Sequence, residues 1–235
     1  MIKEAIILAG GFGTRLKSVV EDLPKPMALI NERPFLDYQL SFLSSWGINH
    51  VVLSLGYKAE VIKDYFGDQF KDIRLSYCIE DEPLGTGGAL KKAMQYVEGR
   101  RVWALNGDTL FDVNLKRFFD CMRIRGSEFC LALRFSLDTE RYGSVELDKN
   151  SRILNFMEKA KDENDNFING GIYGINKKYF ESLDLPDKFS LEKDYLEKYI
   201  KIHKIHGFKC HSFFMDIGIP EDYKAAQHEF KSLPY

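Results

Sequence analysis

The stretch AIILAGGFGTRL, residues 5–16, decides the fold of this chain. Residues 5–9 are apolar, and the run has the right length for one buried β-strand. Glycines at positions 10, 11 and 13 follow at once, so the strand should run straight into a loop whose backbone can approach a bound group closely. Ligands of open α/β sheets bind beyond the carboxyl ends of the strands, which makes this loop a candidate site.

Strands and helices alternate on the C-terminal side of this loop. Apolar runs and a 3.6-residue apolar period predict strands at 51–55, 73–79 and 102–105 and helices at 34–47, 58–66 and 88–97. This order predicts a largely parallel sheet covered on both faces. Strands dominate the second half, so the sheet should become mixed there. They are expected at 129–135, 144–147, 153–157, 172–175 and 209–214, with helices at 191–200 and 220–230.

Length and composition are those of one ordinary globular domain. The 235 residues are 45% hydrophobic and 29% charged, with a formal net charge of -2. Nucleic-acid-binding proteins usually carry a basic excess, so no nucleic-acid partner is expected. The four cysteines show no CxxC spacing, which favours free thiols in a reducing compartment. No apolar run suits a signal peptide or approaches the ~20 residues of a membrane span, so we expect a cytoplasmic chain without a membrane partner.

The glycine loop carries residue types that suit phosphate. Its backbone N–H groups can point at phosphate oxygens, and Arg15 adds a planar, permanent charge. Lys25 stands between two prolines, which restrict the backbone that aims its ammonium group. The pattern is neither a P-loop, which needs GxxxxGK[ST], nor a dinucleotide fingerprint, because Leu16 stands where the third glycine would be. A strand-to-helix turn with one surface arginine is the alternative interpretation.

Motifs along nearly the whole chain resemble those of sugar-1-phosphate nucleotidylyltransferases. In chain order they are LAGGFGTRL, LPKPM, EPLGTGGAL, NGD, EK, NGGIY and DIGIPEDY. The resemblance implies an α/β fold, a three-layer α/β/α Rossmann-like sandwich with a mostly parallel, mixed central sheet. It also implies a single domain over 1–235, in which residues 1–125 mainly bind the nucleotide and residues 126–235 mainly bind the sugar phosphate.

The resemblance further implies an enzyme that uses Mg²⁺. In the family's reaction, an oxygen of a sugar 1-phosphate attacks the α-phosphorus of a nucleoside triphosphate, and pyrophosphate leaves. Both substrates are anions, so positioning and charge neutralisation should dominate catalysis. Arg15 and Lys25 would be the catalytic cations. The residues expected to contact the nucleotide are Leu8, Ala9, Gly10, Gly11, Gly13, Thr14, Arg15, Glu80, Gly85, Thr86, Gly87, Asn106, Gly107 and Asp108.

Two aspartates match the metal ligands of the family. Asp108 follows the predicted strand 102–105, and Asp216 follows Phe213-Phe214-Met215, so both should emerge at the same rim of the sheet. Magnesium prefers hard oxygen ligands, usually one or two carboxylates with phosphate oxygens and water. An aspartate that caps a loop is the alternative for each position.

Sugar-phosphate binding is implied for a second group of residues. They are Glu158, Lys159, Asn169, Gly170 and Gly171, of which Asn169 would contact a sugar hydroxyl. A solvated Glu-Lys pair at a strand edge and a glycine turn between two strands are the alternatives.

Glu80 indicates which base is bound. Family members specific for thymidine nucleotides carry a glutamine here, whose amide can both donate and accept, whereas a carboxylate only accepts. Guanine presents two adjacent donors, so Glu80 favours GTP.

The acceptor sugar and the assembly are less constrained. The EPLGTGGAL segment in a short chain is most similar to D-glycero-α-D-manno-heptose 1-phosphate guanylyltransferases, and mannose-1-phosphate guanylyltransferases are similar in the same segments. Uridylyl or thymidylyl transfer to a hexose 1-phosphate, and a non-catalytic module that binds nucleotide sugars, are the further alternatives. A homo-oligomer stays open.

Overall fold

The computed structural model describes residues 1–11, 13, 16, 20, 23–136, 143–158 and 167–235. The strands in these ranges are β1 (Glu4–Leu8), β2 (Leu29–Ile30), β3 (Arg33–Pro34), β4 (His50–Leu55), β5 (Gln69–Phe70), β6 (Ile73–Ile79), β7 (Arg101–Asn106), β8 (Thr109–Phe111), β9 (Phe129–Phe135), β10 (Gly143–Leu147), β11 (Ile153–Glu158), β12 (Phe167–Asn176), β13 (Ile205–Cys210) and β14 (Phe214–Asp216). The α-helices are α1 (Phe35–Ser45), α2 (Ala59–Phe66), α3 (Gly85–Ala93), α4 (Leu115–Arg125), α5 (Lys177–Glu181), α6 (Glu197–Tyr199) and α7 (Pro220–Glu229). Across the described ranges, none of the helices combines the length and the apolar character that crossing a bilayer requires.

In the part of the chain that the structure describes, a mixed sheet of ten strands forms the middle of the molecule. Its strand order is β11-β10-β12-β7-β1-β4-β6-β5, and β9 joins β12 to β13. Strands β7, β1, β4 and β6 run parallel to one another, whereas β12 is antiparallel to β7 and begins the antiparallel half. Because neighbouring parallel strands end at the same edge, the loops after β1, β4 and β7 meet at one place.

Helices cover both faces of this sheet because the buried strands are apolar on both sides. In β1, Ala5 and Ile7 belong to the core that contains Phe35 of α1. Ile6 points the other way, into the core that contains Leu90 of α3. Both cores are closed to solvent. The predicted three-layer α/β/α arrangement with a mixed central sheet is therefore confirmed.

Helices α4 and α5 were not expected from the sequence. Helix α4 begins after Asn114, whose side chain accepts a hydrogen bond from Arg117 N at 2.9 Å, and ends at Gly126 in the left-handed conformation. Both residues are ordinary helix-end signals. Only three of the helix's eleven residues are buried, so its apolar period is weak beside its charged face.

The predicted strand 209–214 is wrong as a single element. Strand β13 pairs with β9 as far as Cys210, and the separate strand β14 then pairs with β8. The chain has to leave one ladder to reach the other, so the hydrogen bonding is interrupted between them. This crossing brings Asp216 beside Thr109.

The Asn169-Gly170-Gly171 segment lies inside β12 and is not a turn between two strands. The register of β12 against β9 shifts between Asn169 and Tyr173, which is a β-bulge. Gly171 has a φ of 71° there, a conformation that side chains with a Cβ rarely adopt.

Candidate active site

The floor of the candidate site is made of main chain. Gly107 N donates a hydrogen bond to Leu8 O at 2.9 Å, which ties the end of β1 to the turn after β7. A Cβ on Gly107 would lie 2.6 Å from Leu8 O, and one on Gly56 would lie 2.8 Å from Gly10 O. Glycine is therefore required at positions 56 and 107 because backbones approach each other too closely for any side chain.

Lys25 reaches this floor from a stiff turn. It begins the 3₁₀ turn Lys25–Met27, which follows Pro24 and contains Pro26. Gly13 of the glycine loop has a φ of 58°, and a Cβ there would lie 3.1 Å from the Cβ of Lys25. The lysine thus packs directly against the loop.

Asp108 forms an ion pair with this lysine. Lys25 Nζ donates to Asp108 Oδ2 at 2.6 Å, and Thr109 Oγ1 donates to Asp108 Oδ1 at 3.2 Å. Burial favours the protonated carboxyl, but the Lys25 ammonium outweighs that effect and holds the pKa of Asp108 below its ordinary value. The side chain of Lys25 is 11% exposed and that of Asp108 is 36% exposed. A cation and a carboxylate anion therefore stand together at the floor, and both remain in reach of a ligand.

A buried glutamine holds the turn that carries Asp108. Gln39 of α1 is fully buried, and its Nε2 donates to Asn106 O and to Thr109 O, each at 2.8 Å. These two carbonyls flank Gly107 and Asp108. Gln39 is a residue that the sequence analysis missed, because it stands among apolar residues of a helix that lies far away in sequence.

Replacing Gln39 with methionine should destabilise the protein and disturb the turn. The variant keeps the side-chain volume but removes the donor that Gln39 gives to two carbonyls of the turn, so we expect a loss of about 1–3 kcal/mol in the free energy of unfolding. Urea unfolding measures the loss, and Gln95→Met, at an exposed helical position, is the matched control. Equal unfolding midpoints for the two variants would contradict the role given to Gln39.

Glu80 lies against the first glycine of the loop. A Cβ on Gly10 would lie 2.4 Å from Glu80 Oε1, so the two residues are in direct contact. Ser54 Oγ donates to Glu80 Oε1 at 3.3 Å, and Leu84 N donates to Oε2 at 3.2 Å. Burial raises the pKa of Glu80 despite these two donors. Hydrogen bonds to both oxygens therefore orient the carboxylate, which lies beside the glycine loop.

The glycines at the start of α3 pack against a neighbouring segment. Gly87 N and Gly88 N both donate to Phe189 O, at 3.0 and 3.2 Å. A Cβ on Gly87 would lie 2.1 Å from the Phe189 ring, and one on Gly85 would lie 2.5 Å from Phe189 O. Close packing against Phe189 therefore explains glycine at these positions, and Thr86 is the residue of this group that lines the cleft.

One cleft of about 290 Å³ collects many of the predicted residues. From the predicted set it is lined by Leu8, Ala9, Gly11, Gly13, Lys25, Thr86, Asn106, Gly107 and Asp108. Pro26 and Gly218 line it too and were missed, although both stand inside motifs that the sequence analysis singled out. Thr14, Arg15 and Lys159 lie outside the described residues, and Glu158 ends β11.

Comparisons with known proteins show to which family this chain belongs. The profile of the Nucleotidyl transferase family matches residues 4–232. The chain belongs to this family. A D-glycero-alpha-D-manno-heptose 1-phosphate guanylyltransferase of Aneurinibacillus thermoaerophilus is 48% identical over 97% of this chain and 98% of its own length. The protein of the same description from Campylobacter jejuni is 45% identical over 94% of this chain and 96% of its own.

A solved structure is also similar to this chain. HddC from Yersinia pseudotuberculosis, complexed with GMP-PN, has a TM-score of 0.86 and 38% identity, with 97% of this chain and 100% of that chain covered. The resemblance inferred from the motifs is thereby confirmed at the level of the family. The nucleotidyl transferase fold explains why the loops after β1, β4 and β7 converge.

Two carboxylates of this nucleotidyl transferase suit a divalent cation. Ile217 N donates to Asp108 O at 3.0 Å, and Asp216 stands opposite Thr109 in the β8–β14 ladder. Asp216 Oδ1 accepts a hydrogen bond from Gly218 N at 2.6 Å, which orients its carboxylate. Within the described residues no group of three or more His, Cys, Asp or Glu gathers. Both carboxylates supply the hard oxygen ligands that a divalent cation prefers.

Proposed function

We propose that this chain transfers GMP from GTP to D-glycero-α-D-manno-heptose 1-phosphate and releases pyrophosphate. The observation that carries the proposal is the Lys25–Asp108 ion pair on a main-chain floor between glycines. It occurs in a chain that is 48% identical to a guanylyltransferase with this acceptor in its name. The mutual repulsion of two phosphate esters is the obstacle that such a site has to overcome.

The proposed step is an in-line displacement. An oxygen of the sugar phosphate forms a bond to the α-phosphorus of GTP, while the bond from that phosphorus to the oxygen bridging it to the β-phosphate breaks. The bridging oxygen leaves with pyrophosphate. Lys25 has three N–H donors, of which Asp108 takes one, so the ammonium group can also hold phosphate oxygens from both substrates.

Asp108 and Asp216 would hold Mg²⁺, which when bound neutralises phosphate charge. The ionised state of Asp108, maintained by Lys25, supports this assignment. Arg15 is proposed as a second cation toward the triphosphate on the resemblance of its motif. The remaining predicted nucleotide contacts, Thr14 among them, have the same basis.

Glu80 is proposed to read guanine. Its carboxylate lies beside Gly10 and is held by Ser54 and Leu84, which supports recognition of a base next to the glycine loop. A carboxylate accepts from both N1–H and the exocyclic amine of guanine, whereas uracil and thymine offer an acceptor at one of these places.

The sugar phosphate is proposed to bind between the bulge of β12 and the end of β11. Asn169 has an oriented side chain, because its Oδ1 accepts from Gly171 N at 3.1 Å and its Nδ2 donates to Tyr173 OH at 2.7 Å. The second Nδ2 hydrogen is then fixed in direction, which supports a role with a sugar hydroxyl. Lys159 and Glu158 are proposed partners of the phosphate and of the hydroxyls.

A matrix of nucleoside triphosphates against sugar 1-phosphates tests the proposal. With Mg²⁺ present, we expect pyrophosphate release to be fastest for GTP with the heptose 1-phosphate, and slower for mannose 1-phosphate. UTP and dTTP with hexose 1-phosphates probe the uridylyl and thymidylyl alternatives. Tight binding of GDP-heptose without any pyrophosphate release or reverse reaction would replace the proposal with a non-catalytic binding module.

A cytoplasmic location is part of the proposal. GTP is a cytoplasmic substrate, and the four cysteines are free thiols, which suits a reducing compartment. Three of them, Cys78, Cys130 and Cys210, are buried.

A further inference from the structure

Glu192 lies behind the cleft, in the π-helical turn Leu191–Leu196. Its Oε2 accepts hydrogen bonds from Thr86 Oγ1 at 2.6 Å and from Ser190 Oγ at 3.0 Å. Its Oε1 accepts from Tyr173 OH at 3.3 Å. One carboxylate therefore binds two segments that stand on different sides of the site.

The first of these segments is the nucleotide side. Thr86 lines the cleft, and its hydroxyl both donates to Glu192 and accepts from Leu191 N at 2.9 Å. A threonine hydroxyl held in both directions has a fixed rotamer. The position of Thr86 in the cleft wall thus depends on the segment that carries Glu192.

The second segment is the sugar side. The hydroxyl of Tyr173 is buried, donates to Glu192 Oε1, and accepts from Asn169 Nδ2 at 2.7 Å. Its single donor is then used by the carboxylate. Asn169 is the proposed hydroxyl ligand. The direction of its amide depends on where the Tyr173 hydroxyl points, and Glu192 fixes that direction.

We propose that Glu192 is a positioning residue that couples two walls of the site. The nucleotide wall contains Thr86, and the sugar wall contains Tyr173 and Asn169. The inference rests on the proposed function, and it adds a residue that touches neither substrate. The carboxylate that holds Thr86 at the nucleotide side also holds Tyr173, and through it Asn169, in the arrangement that accepts the sugar phosphate. Hydrogen bonds to a carboxylate are stronger than those between neutral groups, and members of one network act non-additively.

A mutant cycle tests the coupling. Thr86→Val and Tyr173→Phe each remove one arm of the network while keeping the side-chain shape. We expect kcat/KM of the double variant to be about 3- to 10-fold higher than independent effects would give, because the second substitution breaks a network that the first has already opened. In a Glu192→Gln background the same two substitutions should act independently, within about twofold.

The single variant separates positioning from general stability. Glu192→Gln should raise KM for both GTP and the sugar 1-phosphate, whereas Glu181→Gln, an exposed glutamate in the same half of the chain, should change neither. Thermal unfolding is followed in parallel. A purely structural role would lower the unfolding temperature of Glu192→Gln and leave both KM values of the folded enzyme unchanged, and that result would overturn the proposal. The proposal would also be overturned if Thr86→Val and Tyr173→Phe acted independently in the protein that retains Glu192.

A binding measurement distinguishes a failure of this inference from a failure of the proposed function. If the wild-type protein releases no pyrophosphate with any pair of substrates, the proposed function fails. The Kd for GTP, measured calorimetrically with and without the heptose 1-phosphate, then still reports coupling between the walls. A sugar phosphate that tightens GTP equally in the wild type and in Glu192→Gln would show that Glu192 does not couple them.

Discussion

Replacing Lys25 with alanine should lower kcat/KM for pyrophosphate release by about 100- to 1,000-fold, which corresponds to about 3–4 kcal/mol of lost transition-state stabilisation. The reason is electrostatic. Two phosphate anions must meet at the floor of the cleft. Among the residues that the structure describes, Lys25 provides a positive charge there; its side chain is 11% exposed and packs against Gly13. Without it, Asp108 adds an unbalanced negative charge to a site that must receive two anions.

The loss of activity can be distinguished from a loss of folding. The Asp108 side chain is 36% exposed, so water stabilises it when its partner is removed, and we expect the free energy of unfolding to fall by about 1 kcal/mol at most. Lys116→Ala, at an exposed position of α4, is the matched control and should leave kcat/KM unchanged. Turnover by Lys25→Ala within a few fold of the wild type would remove the lysine from the mechanism.

Replacing Glu80 with glutamine should reduce the preference for GTP over UTP and dTTP by about 100-fold, since hydrogen bonds to a charged group contribute roughly 1.5–3 kcal/mol. Glutamine fits the same place, because its oxygen can accept from Leu84 N while its amide donates to Ser54 Oγ. The change therefore alters which base is read and leaves the loop intact. The ratio of kcat/KM values for the three triphosphates, with one acceptor, is the measurement.

The pH dependence gives a second test of the same residue. Burial raises the pKa of Glu80, so its carboxylate becomes protonated at a higher pH than that of an ordinary glutamate. Only the ionised carboxylate can accept hydrogen bonds on both oxygens without donating one. As the pH falls through that raised pKa, the wild type should lose its preference for GTP, and Glu80→Gln should show no such change. Glu82→Gln alters an exposed neighbour and should behave like the wild type. An unchanged preference in Glu80→Gln would show that another group reads the base.

The sequence was informative where a physical signal is local. The apolar run before the glycines predicted β1 and its loop, and the apolar strand before Asn106 predicted where Asp108 emerges. Both aspartates do come from neighbouring strand segments. The stiffness conferred by Pro24 and Pro26 is also a local property, and the lysine between them does reach the floor of the cleft.

The parts that could not be predicted depend on contacts between distant positions. Gln39 bonds to Asn106 and Thr109, 67 and 70 positions away, and Glu192 bonds to Thr86 across 106 positions. Neither residue differs in local pattern from an ordinary polar side chain on a helix. The bulge in β12 was missed for a related reason, because two glycines signal an unusual backbone without saying whether the strand continues beyond it.

The main-chain floor beneath the cleft also bears on how such proteins diversify. Gly107 and Gly56 meet carbonyl oxygens of the β1 segment at distances that exclude any Cβ, so these positions tolerate almost no drift. The floor of the cleft is therefore the part least able to accept a substitution. A protein of this fold that takes a different acceptor would have to differ in the side chains around the floor.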